Sequence, residues 1–343
     1  MIGASARAAA FSLLRAGYQV VAADLFADVD LSRVCPVARV DDYPDGFERW
    51  LAETDCDWWQ YTGALENYPE LIDRLAKLRP LVGHSGDVLR RVRNPLELQR
   101  VLTSSGFAFP ETHATAGCSP NGDAWLAKSY RGSCGSGISS DDANYWQRRV
   151  QGTSLSAVYR GAELLGATRQ LVGETWSGAK EFQYCGTIGP WPMEKSKQQT
   201  LDDLGRLFAN EFGLSALYGI DLIDGGDQLW VIEVNPRYTA AVEVVERLSE
   251  TTAERFFGKA IVYAKEPVTV TALMTAHFLR QAGESLLPLL ADIPGAGTAI
   301  EVGQPILTLF ADGHSCAAVE DRLRQHTREI EKLLYAKETQ PCG

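Results

Sequence analysis

The chain has 343 residues, 45 % hydrophobic and 22 % charged, the balance of an ordinary globular protein with room for two or three cores. Acids outnumber bases by 44 to 33, a formal charge of −11, which argues against nucleic acid or an anionic membrane surface as the main partner. Seven cysteines form no CxxC pair, so neither a disulfide framework nor a structural zinc site is expected. No apolar run is long enough to span a bilayer and no signal peptide is evident, which makes the cytoplasm the expected compartment.

Met1-Ile2 reads as the tail of a first strand. A small-residue turn follows, then a helix ending at Gly17, then a buried strand over 18–23 closing on Asp24. This is a half-Rossmann layout without a GxGxxG fingerprint, and a plain α/β domain is the expected reading. Strands are expected at 57–61 and 81–83, with an amphipathic helix stopping at Pro80, so a first domain spans 1–87. Asn94 and Pro95 open a capped helix that Gly106 closes.

The stretch 124–138 is the first with chemistry. A short strand carries Lys128 into a loop containing Gly132, Ser133, Gly135, Ser136 and Gly137. Such a loop can turn its N–H groups onto phosphate oxygens, with the lysine adding a point charge. It is not a Walker A loop, where the lysine follows the glycines and opens a helix. A flexible surface linker is the bland alternative. Successive antiparallel strands are expected at 145–150, 155–159, 163–171 and 182–188, and a helix at 200–212 capped by Gly213. Glu243 should start a helix running towards Lys259; 268–279 is strand-like; 316–335 is a long amphipathic helix. His277, His314 and His326 lack metal-ligand spacing.

The hairpin at 220–237, IDLIDGGDQLWVIEVNPR, is the second such stretch. Period-two alternation puts Leu229, Val231, Glu233 and Asn235 on one face. A carboxylate on so apolar a strand costs roughly several kcal/mol to bury unless something positive meets it. A hard cation such as Mg2+ would, and it takes oxygen ligands, so Asp221, Glu233 and Asn235 are the candidate ligands. Register decides whether they meet. A strict two-residue turn at Gly225-Gly226 sets Asp221 opposite Trp230, on the wrong face; a three-residue turn with a bulge sets it opposite Val231, beside Glu233.

A lysine entering a glycine-rich loop, an antiparallel sheet and an acidic hairpin ending in EVNPR resemble, in that order, the ATP-grasp superfamily. The resemblance implies an α/β (α+β) fold: a pre-grasp half-Rossmann domain (1–87), a two-subdomain ATP-grasp core (88–265, divided at 146/147 into lid-bearing and metal-hairpin parts) and a small C-terminal α+β cap (266–343). It implies ATP and Mg2+ as cofactors. Asp221, Glu233 and Asn235 match the metal ligands, Lys128 the phosphate lysine, Gly132 to Gly137 the lid, and Arg237 a basic residue near substrate. The adenine hinge corresponds to 147–152, with Gln147, Arg148 and Val150 at the base. The ribose acid that often follows is absent, and so is the family's first lysine, for which Arg91 or Arg93 can substitute.

The residues at 168–170, 185–190 and 292–298 look like the predicted-carboligase branch, some members of which accompany one-carbon cofactors of the methanofuran or tetrahydromethanopterin type. The implied activity is a carboxylate–amine ligase working through an acyl phosphate on small-molecule substrates, and a homodimer is compatible with it. Three alternatives stand: a bicarbonate-using carboxylase, a non-catalytic ATP-binding regulatory subunit, and a nicotinamide oxidoreductase resting only on residues 3–24. Trp176, Lys180, Tyr184 and Trp191 could line the acceptor pocket.

Overall fold

The computed structural model describes residues 1–114, 124–132, 138, 143–250 and 255–336. The N-terminal region contains α1 (Arg7–Arg15), β1 (Ala22–Asp24), α2 (Val29–Ser32), β2 (Val37–Arg39), α3 (Gly46–Glu53), α4 (Pro69–Leu75) and α5 (Gly86–Val92). β1 pairs parallel with β2, and Ile2 bridges parallel to both Ala23 and Tyr61. Trp59 in turn bridges to Leu81, which completes the half-Rossmann arrangement around Ile2, Phe47, Leu51 and Trp59. Asp24 does not stand free for a ribose. Its carboxylate accepts from the amides of Ala6 (2.9 Å), Phe26 (3.0 Å) and Ala27 (2.7 Å), so it ties its own turn to the start of α1.

α6 (Pro95–Ser104) is capped as expected, the Asn94 side chain accepting from Leu96 N and Glu97 N. β3 (Thr112–Ala114), β4 (Trp125–Lys128) and β5 (Tyr145–Arg148) form a separate three-stranded sheet in the order β3-β5-β4. The expected 145–150 strand therefore does not neighbour the strands that follow it. Those are β6 (Thr153–Arg160), β7 (Glu163–Val172) and β8 (Tyr184–Gly189), then α7 (Lys195–Phe212), β9 (Leu217–Asp224), β10 (Leu229–Asn235), α8 (Val242–Ser249) and β11 (Phe256–Tyr263). The remainder is β12 (Val268–Thr269), α9 (Ala272–Ala282), β13 (Leu290–Ala291), β14 (Ala299–Ile300), β15 (Pro305–Gly313) and α10 (Cys316–Leu334). An eight-stranded sheet runs β10-β9-β6-β7-β8-β11-β15-β13, so the segment from 266 onward shares its sheet with the core.

Two expectations fail locally. The helix from Glu243 stops at Ser249, and Lys259 lies in β11, where aromatic and β-branched residues pair with β8 and β15. The strand-like run at 268–279 is mostly α9, because Thr271 accepts from Met274 N (3.2 Å) and helix-forming Ala, Leu and Met follow. No helix among the described residues is long and apolar enough to cross a membrane.

One buried ion cluster fastens the N-terminal region to the rest. Arg7 is 1 % exposed; its Nε donates to Asp292 Oδ1 (2.8 Å), and its guanidinium also pairs with Glu243. Lys259 Nζ meets the same Glu243 carboxylate at 2.7 Å. Burial alone would raise the Glu243 pKa, but Arg7 and Lys259 more than offset it and hold it far below the ordinary value. Removing one partner of such a cluster leaves buried charge uncompensated. Glu243→Gln should therefore cost about 3–5 kcal/mol at pH 7. A depressed carboxylate pKa stabilises above the unfolded value and loses that effect as pH falls. The difference between wild type and variant should thus shrink on acidification below about 4.5. Denaturant unfolding at both pH values checks this; equal midpoints at pH 7 would refute it.

Candidate active site

The hairpin presents its acids through an irregularity. β9 and β10 pair Asp224 with Leu229, Ile223 with Trp230 and Leu222 with Val231; Asp221 then pairs with Glu233, which makes Ile232 the extra residue of a β-bulge. Before the bulge, Leu229 and Val231 face the hydrophobic core; after it, Val234 does. Ile232, Glu233 and Asn235 line a cavity of about 620 Å³. The single face expected for Leu229, Val231, Glu233 and Asn235 is divided by the bulge, which keeps the acid out of the apolar core. The turn also differs from expectation. It takes four residues, 225–228, closed by Gly225 N donating to Gln228 O (3.0 Å), and Asp221 stands opposite Glu233 itself.

Asp221 is held from both sides. Gln170 Nε2 donates to Oδ1 (2.8 Å) and Asn235 Nδ2 to Oδ2 (2.9 Å). Burial first, and the Glu233 charge next, push its pKa up to about 6. Glu233 pairs with Arg93. Burial would raise its pKa, but Arg93 and then Lys128 outweigh that and lower it. Among the described residues no three His, Cys, Asp or Glu side chains gather into a metal cluster. The donor set is two carboxylates and one amide on adjoining strands. It fits Mg2+, which commonly takes one or two carboxylates and completes its shell with phosphate oxygens and water.

Lys128 is buried at the end of β4, its Nζ donating to Gln147 Oε1 (3.0 Å) and lying 5.8 Å from the Tyr145 ring centroid. Desolvation lowers its pKa. Gln147 is committed to Lys128, and its Nε2 donates weakly to Thr112 Oγ1 (3.4 Å), so it positions the lysine. Arg148 and Val150 border the cavity, and Arg148 also pairs with Glu111 at 3.6 Å. Among the described residues no hydrogen bond takes up the main-chain groups of Val150 or Gln151. Gly132 borders the cavity, while Ser133, Gly135, Ser136 and Gly137 lie outside the described residues.

The structure separates the two candidate arginines. Arg91 points away, to Glu97 and the Glu211 carbonyl. Arg93 faces the cavity, joining Glu233 to Asn67 Oδ1 (3.0 Å) and to the carbonyls of Tyr130 and Gly132 (both 3.2 Å). Arg237 also borders the cavity; its Nε donates to Glu66 Oε1 (2.6 Å) and its Nη2 to Asn235 Oδ1 (3.2 Å). Sequence reading missed Glu66, Asn67 and the role of Gln170. Glu66 and Asn67 sit before a helix where polar residues ordinarily face water. Of the four residues suggested for an acceptor pocket, only Tyr184 lines the cavity; Trp176 and Trp191 pack against hydrophobic cores, and Lys180 lies near Gly303.

Gly152 joins the 147–152 segment to β6. Its φ is 152°, and a Cβ there would fall 2.2 Å from Asp224 O and 2.7 Å from Ile223 Cγ2. The segment and the hairpin are in contact through this missing side chain. Gly152→Ala should force the two apart and destabilise by about 1–3 kcal/mol. An unfolding midpoint equal to that of wild type would contradict the close approach.

Residues 92–241 match the family model for an ATP-grasp domain. No match is found among curated sequences. Among solved structures, biotin carboxylase from Campylobacter jejuni aligns with a TM-score of 0.71 at 11 % identity, covering 94 % of this chain and 89 % of that one. The L-amino acid ligase of Bacillus licheniformis gives 0.66 at 14 %, covering 96 % of each. N5-carboxyaminoimidazole ribonucleotide synthetase from Thermus thermophilus gives 0.66 at 14 %, covering 99 % of this chain and 100 % of that one. At such identities the likeness is one of fold, and it runs nearly end to end. The match to an ATP-grasp domain thus covers residues 92–241, within a fold shared nearly end to end with these structures.

Proposed function

We propose that this protein is an ATP- and Mg2+-dependent ligase that joins a small carboxylic acid to an amine. The observation that carries the reading is the rung on which Asp221 meets Glu233, with Asn235 beside it, in the cavity that Lys128 and Arg93 also line. Asp221, Glu233 and Asn235 would hold Mg2+, which when bound neutralises charge on the phosphate oxygens. The main chain at Val150 and Gln151 offers its groups to the adenine edge, with Arg148 alongside. Lys128 and Arg93 offer positive charge to the phosphates. Gly132, where the glycine-rich loop begins, borders the same cavity.

The reaction follows from charge placement and alignment, without a protein nucleophile. A substrate carboxylate oxygen bonds to the γ-phosphorus as the bond from that phosphorus to the β–γ bridging oxygen breaks, and ADP leaves. The amine nitrogen then bonds to the acyl carbon, the carbon–oxygen bond to phosphate breaks, and the nitrogen gives up a proton. Arg237, held by Glu66, would steady the negative oxygens of the acyl phosphate. The L-amino acid ligase among the fold neighbours supports acid–amine ligation. The biotin carboxylase among them supports carboxylation as the alternative. A link to one-carbon cofactors rests on the sequence resemblance alone.

An ADP-release screen of acids crossed with amines tests the proposal. An acid–amine pair should raise ADP release, and Glu233→Gln should abolish the rise; phosphate release that needs only bicarbonate would favour the carboxylase. Failure of every pair, with ATP affinity unchanged in Glu233→Gln, would refute the ligase. Arg93→Met should weaken ATP binding about tenfold, the loss of one charge-assisted contact, and Arg91→Met should leave it within about twofold. The reverse pattern in a calorimetric titration would contradict the assignment of Arg93.

A further inference from the structure

Two neighbouring residues of the N-terminal region reach both halves of the hairpin site. Leu65, Glu66 and Asn67 form a single 3-10 turn, anchored because Leu65 is wholly buried in the N-terminal core. Glu66 is 2 % exposed and takes Arg237 Nε at 2.6 Å. Gly63 makes room for that guanidinium, since a Cβ there would lie 3.0 Å from Arg237 Cζ. Arg237 Nη2 reaches Asn235 Oδ1 (3.2 Å), and Asn235 Nδ2 reaches Asp221 Oδ2 (2.9 Å). Asn67 starts the second path. Its Oδ1 takes Arg93 Nη2 (3.0 Å), and Arg93 pairs with Glu233. Its Nδ2 also donates to Arg131 O (3.3 Å), just before the glycine-rich loop. The two paths converge on the rung where Asp221 faces Glu233.

From this convergence we infer that Glu66 and Asn67 are positioning residues for the divalent-cation site, acting through Arg237 and Arg93 respectively. This rests on the proposed cation role of Asp221, Glu233 and Asn235. Each keeps an arginine from settling further onto the acids. The buried Arg237 charge has Glu66 as its paired anion; without it the guanidinium turns to Asp221, the next carboxylate along the path, and competes with the cation. Glu66 Oε2 is itself buried without a hydrogen-bond partner, so the carboxylate is held there at a desolvation cost that its ion pair with Arg237 offsets. Arg93 divides its donors between Glu233, Asn67 and two carbonyls; without Asn67 it is free to take both oxygens of Glu233.

Calorimetric titration of ADP into the full chain, in EDTA and in saturating Mg2+, tests this through the ratio of the two affinities. Glu66→Gln keeps the shape and removes the charge; Asn67→Ala removes the second anchor from a half-exposed position and serves if the first variant does not fold. Each should cut the Mg2+-dependent gain at least fivefold while ADP affinity in EDTA changes less than twofold, and Glu66→Asp should recover part of the gain. A gain present in wild type and lost in Glu233→Gln, yet intact in both Glu66→Gln and Asn67→Ala, would overturn the inference and leave the cation site standing. So would an equal fall of ADP affinity with and without Mg2+, the mark of a merely structural role. No gain in wild type, or one that survives Glu233→Gln, would instead overturn the cation site and this inference with it.

Discussion

Two carboxylates stand on one rung of an otherwise apolar sheet edge, and much of the site is arranged around that repulsion. At a rung spacing of about 5 Å and an effective dielectric of about 20, two like charges repel by about 3 kcal/mol. A regular hairpin built on this sequence would add a second cost by turning Glu233 towards Leu229 and Val231. The bulge at Ile232 removes that second cost and leaves the first. What remains is two acids and an amide in a cavity, with Arg93, Arg237 and Lys128 around them. The opposed pKa shifts follow from this geometry. Burial raises both, but Glu233 has Arg93 in contact and is lowered, whereas Asp221 has neutral hydrogen-bond donors, and burial with the Glu233 charge raises it to about 6.

The compensating groups come from separate parts of the chain. Lys128 rides on the small three-stranded sheet, Arg93 sits at the entrance to α6, and Arg237 follows β10. Glu66 and Asn67, which meet Arg237 and Arg93, belong to the N-terminal region, so those contacts form only when that region is docked. The buried Arg7 cluster supplies the docking, joining α1 to α8, β11 and the residue after β13. His84 and Tyr61 add a second tie: His84 Nδ1 lies 3.1 Å from Pro236 O, and Tyr61 Oη donates to the same carbonyl at 3.2 Å. Stability and site geometry are thus linked through the same few contacts at the end of β10.

The strongly patterned elements were legible in the sequence. α6 with its Asn94 cap, α7 with Gly213, α10, and the antiparallel run β6-β7-β8 follow from periodicity and turn residues. So were Asp221, Glu233, Asn235 and Lys128 as a set, because acids on an apolar strand and a lysine leading into glycines are unusual locally. The bulge was not. A two-for-one pairing depends on the partner strand and on core packing, and neither is written in a local pattern. Glu66 and Asn67 were invisible for a related reason. Their partners, Arg237 and Arg93, lie 171 and 26 residues away, and nothing in ALENYPEL separates a buried pair from a solvated one. The helix at α9 was misread because Val, Thr and Val before Thr271 carried their strand signal past the cap.

On the proposed function, Asp221 and Glu233 face one another on one rung and share a divalent cation with a nucleotide. Electron paramagnetic resonance of Mn2+, titrated into the protein with equimolar ADP too dilute to hold the ion by itself, reads this, because the free ion alone gives the sharp signal. In wild type the free-ion signal should be suppressed until a stoichiometric equivalent has been added, and Glu233→Gln should restore it from the first addition. A free-ion signal undiminished in wild type, or suppressed equally in the variant, would contradict the account.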